Sequence, residues 1–529
     1  MLPSNKKIAC VYQHRVYTLF LMGSMLVVLL VSACERPDSE DENGGGLIEA
    51  SIGELQSRLD DGQIMSVDLV DFYLARIEAF DKNGPSLNSI AYINPNAREQ
   101  AEILDQERLE NGPRGPLHGI PILVKDNYET RGMPTTAGSK SLAGYSPDRD
   151  AELVSRLKDA GAIILGKTNM HEFAFGIETW GSAFGKTRNP YDPTRNPGGS
   201  SGGTGAAVAA NFALAGLGSD TCGSIRIPSA HNALVGLRGT QGSSSRAGII
   251  PLSSTQDIGG PLARSVADLA MILDVTVGYD PEDPQTATVV GQFDEQFVDA
   301  LDSNALDGKR IGIVSELRYR VPEDSSVASV FDAAIEQIET LGAETVMVDF
   351  PIFEEVIRQV RGGFYVLLHD FANDIDAYLS ASPDAPAQSL QEIINTGLVI
   401  PQVQSLLNES LNSQNDPKEI YFEELSKRMQ LKSAIYEVMA RHDLDALAYP
   451  TIRGIAALIT EEQSDDNCQL SANSGFPAIS VPAGFSEEGM PVGLELLGRP
   501  WDDTRLVGMA YAFEQAAGHR MPPGMDDGE

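Results

Sequence analysis

Pro197-Gly198-Gly199-Ser200-Ser201-Gly202-Gly203-Thr204-Gly205, followed by Gly218-Ser219-Asp220-Thr221-Cys222-Gly223-Ser224-Ile225-Arg226, is the part of this 529-residue chain whose reading decides the rest. Ser200 and Ser224 stand 24 positions apart, each within a glycine-rich cluster. Well upstream, Lys125 ends the apolar run Ile120-Pro121-Ile122-Leu123-Val124. A serine hydroxyl is a weak nucleophile until a base takes its proton. A lysine amine can be that base once burial or neighbouring positive charge makes it neutral. A second serine can relay the proton, and glycine-rich backbone frees N–H groups to converge on a developing oxyanion. These are the parts needed to break an amide bond without histidine or metal.

At these residues the chain resembles the amidase signature family. The flanks agree: Leu117-His118-Gly119-Ile120-Pro121-Ile122-Leu123-Val124-Lys125-Asp126-Asn127, Gly166-Lys167-Thr168-Asn169-Met170, Gly260-Pro261-Leu262-Ala263-Arg264-Ser265-Val266-Ala267-Asp268 and Gly475-Phe476-Pro477-Ala478-Ile479-Ser480-Val481-Pro482. The resemblance spans about residues 48–525. It implies Ser224 as nucleophile, Ser200 as bridging serine after a cis bond from Gly199, and Lys125 as base. It also implies an oxyanion hole made by the N–H groups of Thr221, Cys222, Gly223 and Ser224. Cys222 stands where the family usually has glycine, so a Cβ narrows the space beside that hole. The resemblance implies no cofactor and no metal. The pattern Leu497-Gly498-Arg499-Pro500-Trp501, with Ala510-Tyr511-Ala512-Phe513-Glu514-Gln515, is similar to members that deamidate C-terminal peptide amides. A general amidase or esterase for small aliphatic or aryl acyl groups is the alternative, and a non-catalytic surface lipoprotein a more distant one.

Other readings of the same residues carry less. A flexible Gly/Ser linker would not run into Ala206-Ala207-Val208-Ala209-Ala210-Asn211-Phe212-Ala213-Leu214-Ala215, which reads as a buried helix. A phosphate-binding loop needs a lysine at the end of its glycines, and none is there. Gly199-Ser200-Ser201-Gly202-Gly203 formally matches a nucleophile elbow with Ser201 as nucleophile. That elbow must follow a buried strand, and the proline-rich residues 189–197 cannot form one. Lys167, after Ala162-Ile163-Ile164-Leu165, is a second candidate base. Asp220 and Arg226 read as a structural ion pair around the nucleophile turn. The seven histidines show no metal-ligand spacing such as H-E-x-x-H.

Residues 1–33 read as a targeting segment. Lys6, Lys7 and Arg15 precede an apolar stretch from Leu19 to Val31, and Val31-Ser32-Ala33-Cys34 follows. The stretch is short for a membrane span. It resembles a bacterial lipoprotein signal, with Cys34 lipidated after cleavage and, since Glu35 rather than aspartate follows, outer-membrane delivery favoured. An uncleaved anchor is the alternative; either places the protein outside the cytoplasm, in the periplasm. Residues 34–47 then form an acidic and glycine-rich tether, 48–525 the folded domain and 526–529 a tail.

The net charge is −36, and −39 once residues 1–33 are removed. That argues against nucleic acid as a partner. The membrane is expected only through the lipid, and the substrate is a small-molecule or peptide amide; the oligomeric state is open. Cys222 and Cys468 remain in the mature chain. Two free thiols are the favoured expectation. The alternative is a bridge, which the family makes conceivable because its Gly-Phe-Pro-Ala segment lies near the active site.

Short apolar runs alternate with helical patterns: Ile120–Val124, Ala162–Leu165, Arg310–Val314, Thr345–Val348 and Ala446–Tyr449, with Ser326–Leu341 as an amphipathic helix. That alternation indicates α/β structure. The family fold implies one compact domain, a mixed sheet covered by helices on both faces. Residues 353–440 read as mainly helical and, with the loop around Tyr128–Tyr145, are expected to shape a substrate pocket.

Overall fold

A computed structural model describes residues 46–318, 325–350 and 364–525. The targeting segment, Cys34, most of the tether and the tail 526–529 lie outside these residues. The described strands are β1 (Ile90–Ile93), β2 (Pro121–Lys125), β3 (Ile163–Thr168), β4 (Trp180–Gly181), β5 (Gly185–Lys186), β6 (Ala215–Asp220), β7 (Val235–Arg238), β8 (Ile258–Ala263), β9 (Arg310–Val314), β10 (Glu344–Val348), β11 (Ala446–Pro450), β12 (Ala478–Phe485) and β13 (Pro491–Leu497). Eleven of them build one mixed sheet in the order β1-β3-β2-β6-β8-β7-β12-β13-β11-β9-β10, while β4 and β5 form a small hairpin. Strands β3-β2-β6 and β11-β9-β10 are parallel groups, and an antiparallel block joins them.

The five expected strands are all present, with ends shifted by a few residues. Continuous apolar runs suit strands covered on both faces, and every residue of β2 and β11 is buried; β10, at the sheet edge, leaves Glu344 and Met347 exposed. The expected helix between β9 and β10 is Ser325–Thr340. Residues 364–441 are largely helical, as expected, in the helices Phe364–Ser380, Leu390–Thr396, Pro401–Ser413 and Lys418–Arg441.

One expectation is corrected. The run Ala206–Ala215 is not a continuous helix: the helix is Gly202–Ala209, and Ala215 already belongs to β6. Asn211 breaks it. Its φ is +57°, a left-handed conformation that asparagine tolerates. Its side chain is tied to Glu49, accepting that residue's N–H at 2.9 Å and donating to its carboxylate at 2.7 Å.

The helix Gly202–Ala209 is buried along its whole length. Only small residues allow that, because β2, β3, β6 and β8 all pack against it. A Cβ added to Gly203 would stand 2.1 Å from the backbone oxygen of Asn169 and 2.7 Å from its nitrogen. The Gly-Lys-Thr-Asn segment at the end of β3 is therefore the surface against which the serine-bearing helix start is seated. Gly203→Ala forces one of two backbones to move and is expected to cost about 1–3 kcal/mol. A thermal melt checks this, and an unchanged midpoint would show that the Asn169 backbone yields freely.

Candidate active site

Lys125 is the last residue of β2 and lies fully inside the protein. Its Nζ donates to Ser200 Oγ at 2.7 Å, to Ser219 Oγ at 2.9 Å and to the Ser219 carbonyl at 3.3 Å. Those three acceptors match the three protons of an ammonium. Burial lowers the amine's pKa to about 7 against the opposing pull of Asp220 and Asp257. Lys125 can thus exchange a proton near neutrality.

Ser200 follows a cis peptide bond from Gly199, as the resemblance implied. A Cβ on Gly199 would come within 2.7 Å of the Ile177 backbone. The Ser200 carbonyl accepts the His171 N–H at 3.0 Å. Ser201 is as buried as Ser200, but its hydroxyl bonds the Ser219 backbone: it donates to the carbonyl and accepts from the N–H, each at 3.3 Å. No strand leads into Gly199: the last one before it, β5, ends at Lys186. The nucleophile-elbow reading therefore has neither its strand nor an accessible hydroxyl.

Ser224 sits in the turn between β6 and the helix Arg226–His231. Its carbonyl accepts the Ser201 N–H at 3.3 Å, which brings the two glycine–serine clusters together. Asp220 shapes that turn. It takes the Gly223 N–H at 2.8 Å, the Ile225 N–H at 3.1 Å and Arg226 Nε at 3.1 Å, and Arg238 reaches both its carboxylate and its carbonyl. Burial works against the charged carboxylate, but the Arg226 and Arg238 guanidiniums hold it well below the usual range. Arg226 continues to Glu495 on β13, which also accepts the Tyr449 hydroxyl at 2.9 Å. Burial pushes Glu495 up to about 7 despite Arg226. The Asp220–Arg226 ion pair is thus present, within a larger buried network.

That network engages one of the four N–H groups expected to form an oxyanion hole. The Gly223 N–H is committed to Asp220. The N–H groups of Thr221, Cys222 and Ser224 make no hydrogen bond among the described residues and remain as donors. Thr221 is fixed through its hydroxyl, which donates to Asp257 Oδ1 at 2.6 Å.

Lys167 is equally buried and is lowered to about 8 by that burial, against the nearby Asp126. Its protons go to the Tyr128 carbonyl at 2.7 Å, Thr135 Oγ1 at 2.9 Å and the Pro134 carbonyl at 3.2 Å. It braces the 128–135 loop and makes no bond to Ser200 or Ser224, so the geometry favours Lys125 as the base.

Ser224 opens onto a cavity of about 610 Å³. Phe175, Ile177, Leu252 and Leu367 give it apolar walls, and Glu178, Glu462, Asp465 and Asp466 are among its polar lining. The helical region contributes Phe364, Leu367 and Gln402, as expected. The loop around Tyr128–Tyr145 does not line it. Instead Ala137, Leu142 and Tyr145 pack beneath, in one apolar cluster with Phe173, Phe175 and Phe371.

Cys222 and Cys468 are joined in a disulfide across 246 positions, which corrects the expectation of two free thiols. It is Cys468, ahead of the Gly-Phe-Pro-Ala segment, that lies beside the Ser224 turn, and the two Cα atoms are 5.2 Å apart, within the span a disulfide bridges. Among the described residues, Cys222, Asp466 and Cys468 have potential metal-ligand atoms within 4.8 Å of one another. The two sulfurs are bonded to each other and offer no thiolate to an ion.

Several contributors were not singled out in the sequence. Ser219 holds Lys125, Asp257 holds Thr221, and Arg238 and Glu495 complete the charge network. Ser219 lies inside the second glycine–serine cluster. The other three come from distant strands and loops, with no local signal.

The Amidase family model matches residues 68–507. The crystal structure of native peptide amidase from Stenotrophomonas maltophilia is 38% identical, with a TM-score of 0.85, covering 91% of this chain and 99% of that one. A probable amidase of Arabidopsis thaliana is 35% identical over 90% of this chain and 91% of its own length. A glutamyl-tRNA(Gln) amidotransferase subunit from Synechococcus sp. (strain CC9605) is 34% identical over 89% of this chain and 96% of its own. The family match over most of the fold, with a single α/β domain like that of its neighbours, means that this chain belongs to the amidase family, hydrolases that act on amides.

Proposed function

We propose that this amidohydrolase works through Ser224 as nucleophile, Ser200 as relay and Lys125 as base, by way of an acyl-enzyme, and that its substrates are C-terminally amidated peptides. The observation that carries the reading is the buried hydrogen bond of 2.7 Å from Lys125 Nζ to Ser200 Oγ, beside a Ser224 that opens onto the cavity.

Neutral Lys125 takes the Ser200 proton while Ser200 takes that of Ser224, and Ser224 Oγ attacks the amide carbonyl. The negative charge on the carbonyl oxygen is met by the N–H groups of Thr221, Cys222 and Ser224. Such donors act most strongly where water is excluded. Protonated Lys125 returns its proton through Ser200 to the leaving nitrogen, and ammonia departs. Water then attacks the acyl-enzyme by the reverse route, releasing the acid. The peptide-amide assignment is supported by the likeness to the Stenotrophomonas enzyme and by a cavity whose apolar walls suit side chains next to the reacting amide.

We also propose that the enzyme is exported and held to the bacterial envelope by lipid on Cys34, on the outer-membrane side of the periplasm. Lys6, Lys7 and Arg15 before the Leu19–Val31 stretch, and Val31-Ser32-Ala33-Cys34 after it, support this. So does a disulfide, which persists in oxidising compartments.

Ser224→Ala should lose at least about 10⁴-fold in kcat with the fold intact. Lys125→Ala should lose about 10²–10⁴-fold, with Ser200→Ala retaining more activity than either. Ammonia release from amidated dipeptides, small aliphatic amides and aryl amides measures both the roles and the substrate class. Release from small amides alone would move the assignment to a general amidase, and near-normal rates for Lys125→Ala would remove the relay. The neutral amine is the active form, so kcat/KM should rise with pH through about 7 and level off above it. A profile flat from pH 5 to 9 would contradict a lysine base. Metabolic labelling with a fatty acid should mark the wild type and not Cys34→Ser; equal labelling would remove the lipid anchor.

A further inference from the structure

The turn that carries the proposed oxyanion donors is pinned residue by residue, and position 222 is pinned differently from its neighbours. Thr221 is held by its hydroxyl on Asp257, and Gly223 and Ile225 by their N–H groups on Asp220. Between them the Cys222 N–H has no acceptor among the described residues, and its side chain is bonded to Cys468. The covalent bond takes the place that a hydrogen bond fills at the other positions.

The far end of the bond is well anchored. Cys468 is buried and stands directly before the helix Gln469–Ser474. Its carbonyl takes the Ala472 N–H at 3.1 Å and the Arg226 guanidinium at 3.5 Å. A Cβ added to Gly223 would fall 2.9 Å from Cys468 Cβ, so the cysteine packs directly over the turn. Both cysteines line the cavity, together with residues 462–466, and a small reductant entering it meets the bridge.

We propose that the Cys222–Cys468 disulfide is a positioning element of this active site. It holds the Cys222 N–H toward the carbonyl oxygen of the amide, and its reduction by a dithiol slows the chemical step. The inference rests on Ser224 being the nucleophile. In the redox step a dithiol attacks one sulfur and then closes on itself. It becomes a cyclic disulfide, and its two electrons and two protons leave Cys222 and Cys468 as thiols. Two thiols cannot stay at bonded separation, so the turn and the cavity wall part and the N–H loses its aim.

The test uses the full-length protein, untreated or treated with dithiothreitol, with the Cys222–Cys468 peptide linkage read by mass spectrometry. One readout is the rate at which a fluorophosphonate labels Ser224, because its phosphoryl oxygen needs the same donors whatever the natural substrate. The other is kcat and KM on an amidated dipeptide, per labelled site so that unfolded molecules do not count. Reduction should lower the labelling rate and kcat about tenfold or more, since losing one oxyanion donor costs up to about 10²–10³. KM should stay within about twofold, because the wall still binds substrate. Reoxidation should restore both rates. Cys468→Ser, which leaves residue 222 untouched, should resemble the reduced wild type and ignore dithiothreitol. Absence of the linked peptide from untreated protein, or unchanged rates with the linkage broken, would overturn the proposal. Slower labelling on reduction with no amide cleaved would sink the substrate assignment and sustain the clamp. Amide cleavage with both rates indifferent to reduction would do the opposite.

Discussion

Asp220 is the group on which the site depends. It ends β6 inside the protein, out of reach of bulk solvent, and a buried charge needs hydrogen-bond donors. The donors are the Gly223 and Ile225 N–H groups and two arginines. Satisfying the carboxylate therefore bends the chain into the turn that presents Ser224 to the cavity. Burying such charges is seldom a net gain in stability over apolar packing. Here the return is geometric. Arg226 carries the network to Glu495, so the turn is keyed to the far half of the sheet as well as to its own strand.

The same carboxylate helps to set the proton affinity of Lys125. Burial lowers the lysine's proton affinity; Asp220 and Asp257 pull the other way, and the balance falls at about 7. Lys167 shows that burial is not enough. It is as deeply placed and lowered to about 8, yet its hydrogen bonds go to the 128–135 loop. What separates the proposed proton acceptor from a brace is the identity of the bonded partners, two serine hydroxyls and a carbonyl in one case and two backbone carbonyls plus a threonine hydroxyl in the other.

Close backbone approach explains the glycines around the site better than flexibility does. Gly199 and Gly203 abut the backbones of Ile177 and Asn169, and Gly223, at φ +83°, lies under Ile227 and Cys468. The fully buried Gly202–Ala209 helix is the rigid post these contacts support. Strand β8, Ile258-Gly259-Gly260-Pro261-Leu262-Ala263, follows the same logic. Its Gly-Gly-Pro reads locally as a turn, yet it pairs with β6 along its whole length. A Cβ at Gly259 would meet the Tyr128 hydroxyl at 2.6 Å and one at Gly260 the Leu237 carbonyl at 2.8 Å.

The sequence by itself determined the α/β class and five of the six strands of the parallel groups, β6 being the one it did not mark, and it picked out the three residues that the proposed relay uses. The central ones among them announce themselves as apolar runs because both faces are buried, and Lys125, Ser200 and Ser224 sit in local motifs whose residue types suit the proposed chemistry. Tertiary structure decided what depends on pairing distant segments. It stopped the Ala206–Ala215 helix early through the Asn211–Glu49 tie, made a strand of Gly-Gly-Pro and spent the Gly223 N–H on Asp220. It also chose between two buried lysines by what lies within hydrogen-bonding reach of each, and joined two cysteines 246 positions apart. None of these has a local signal, because each is set by what the fold brings near, not by what the chain places next.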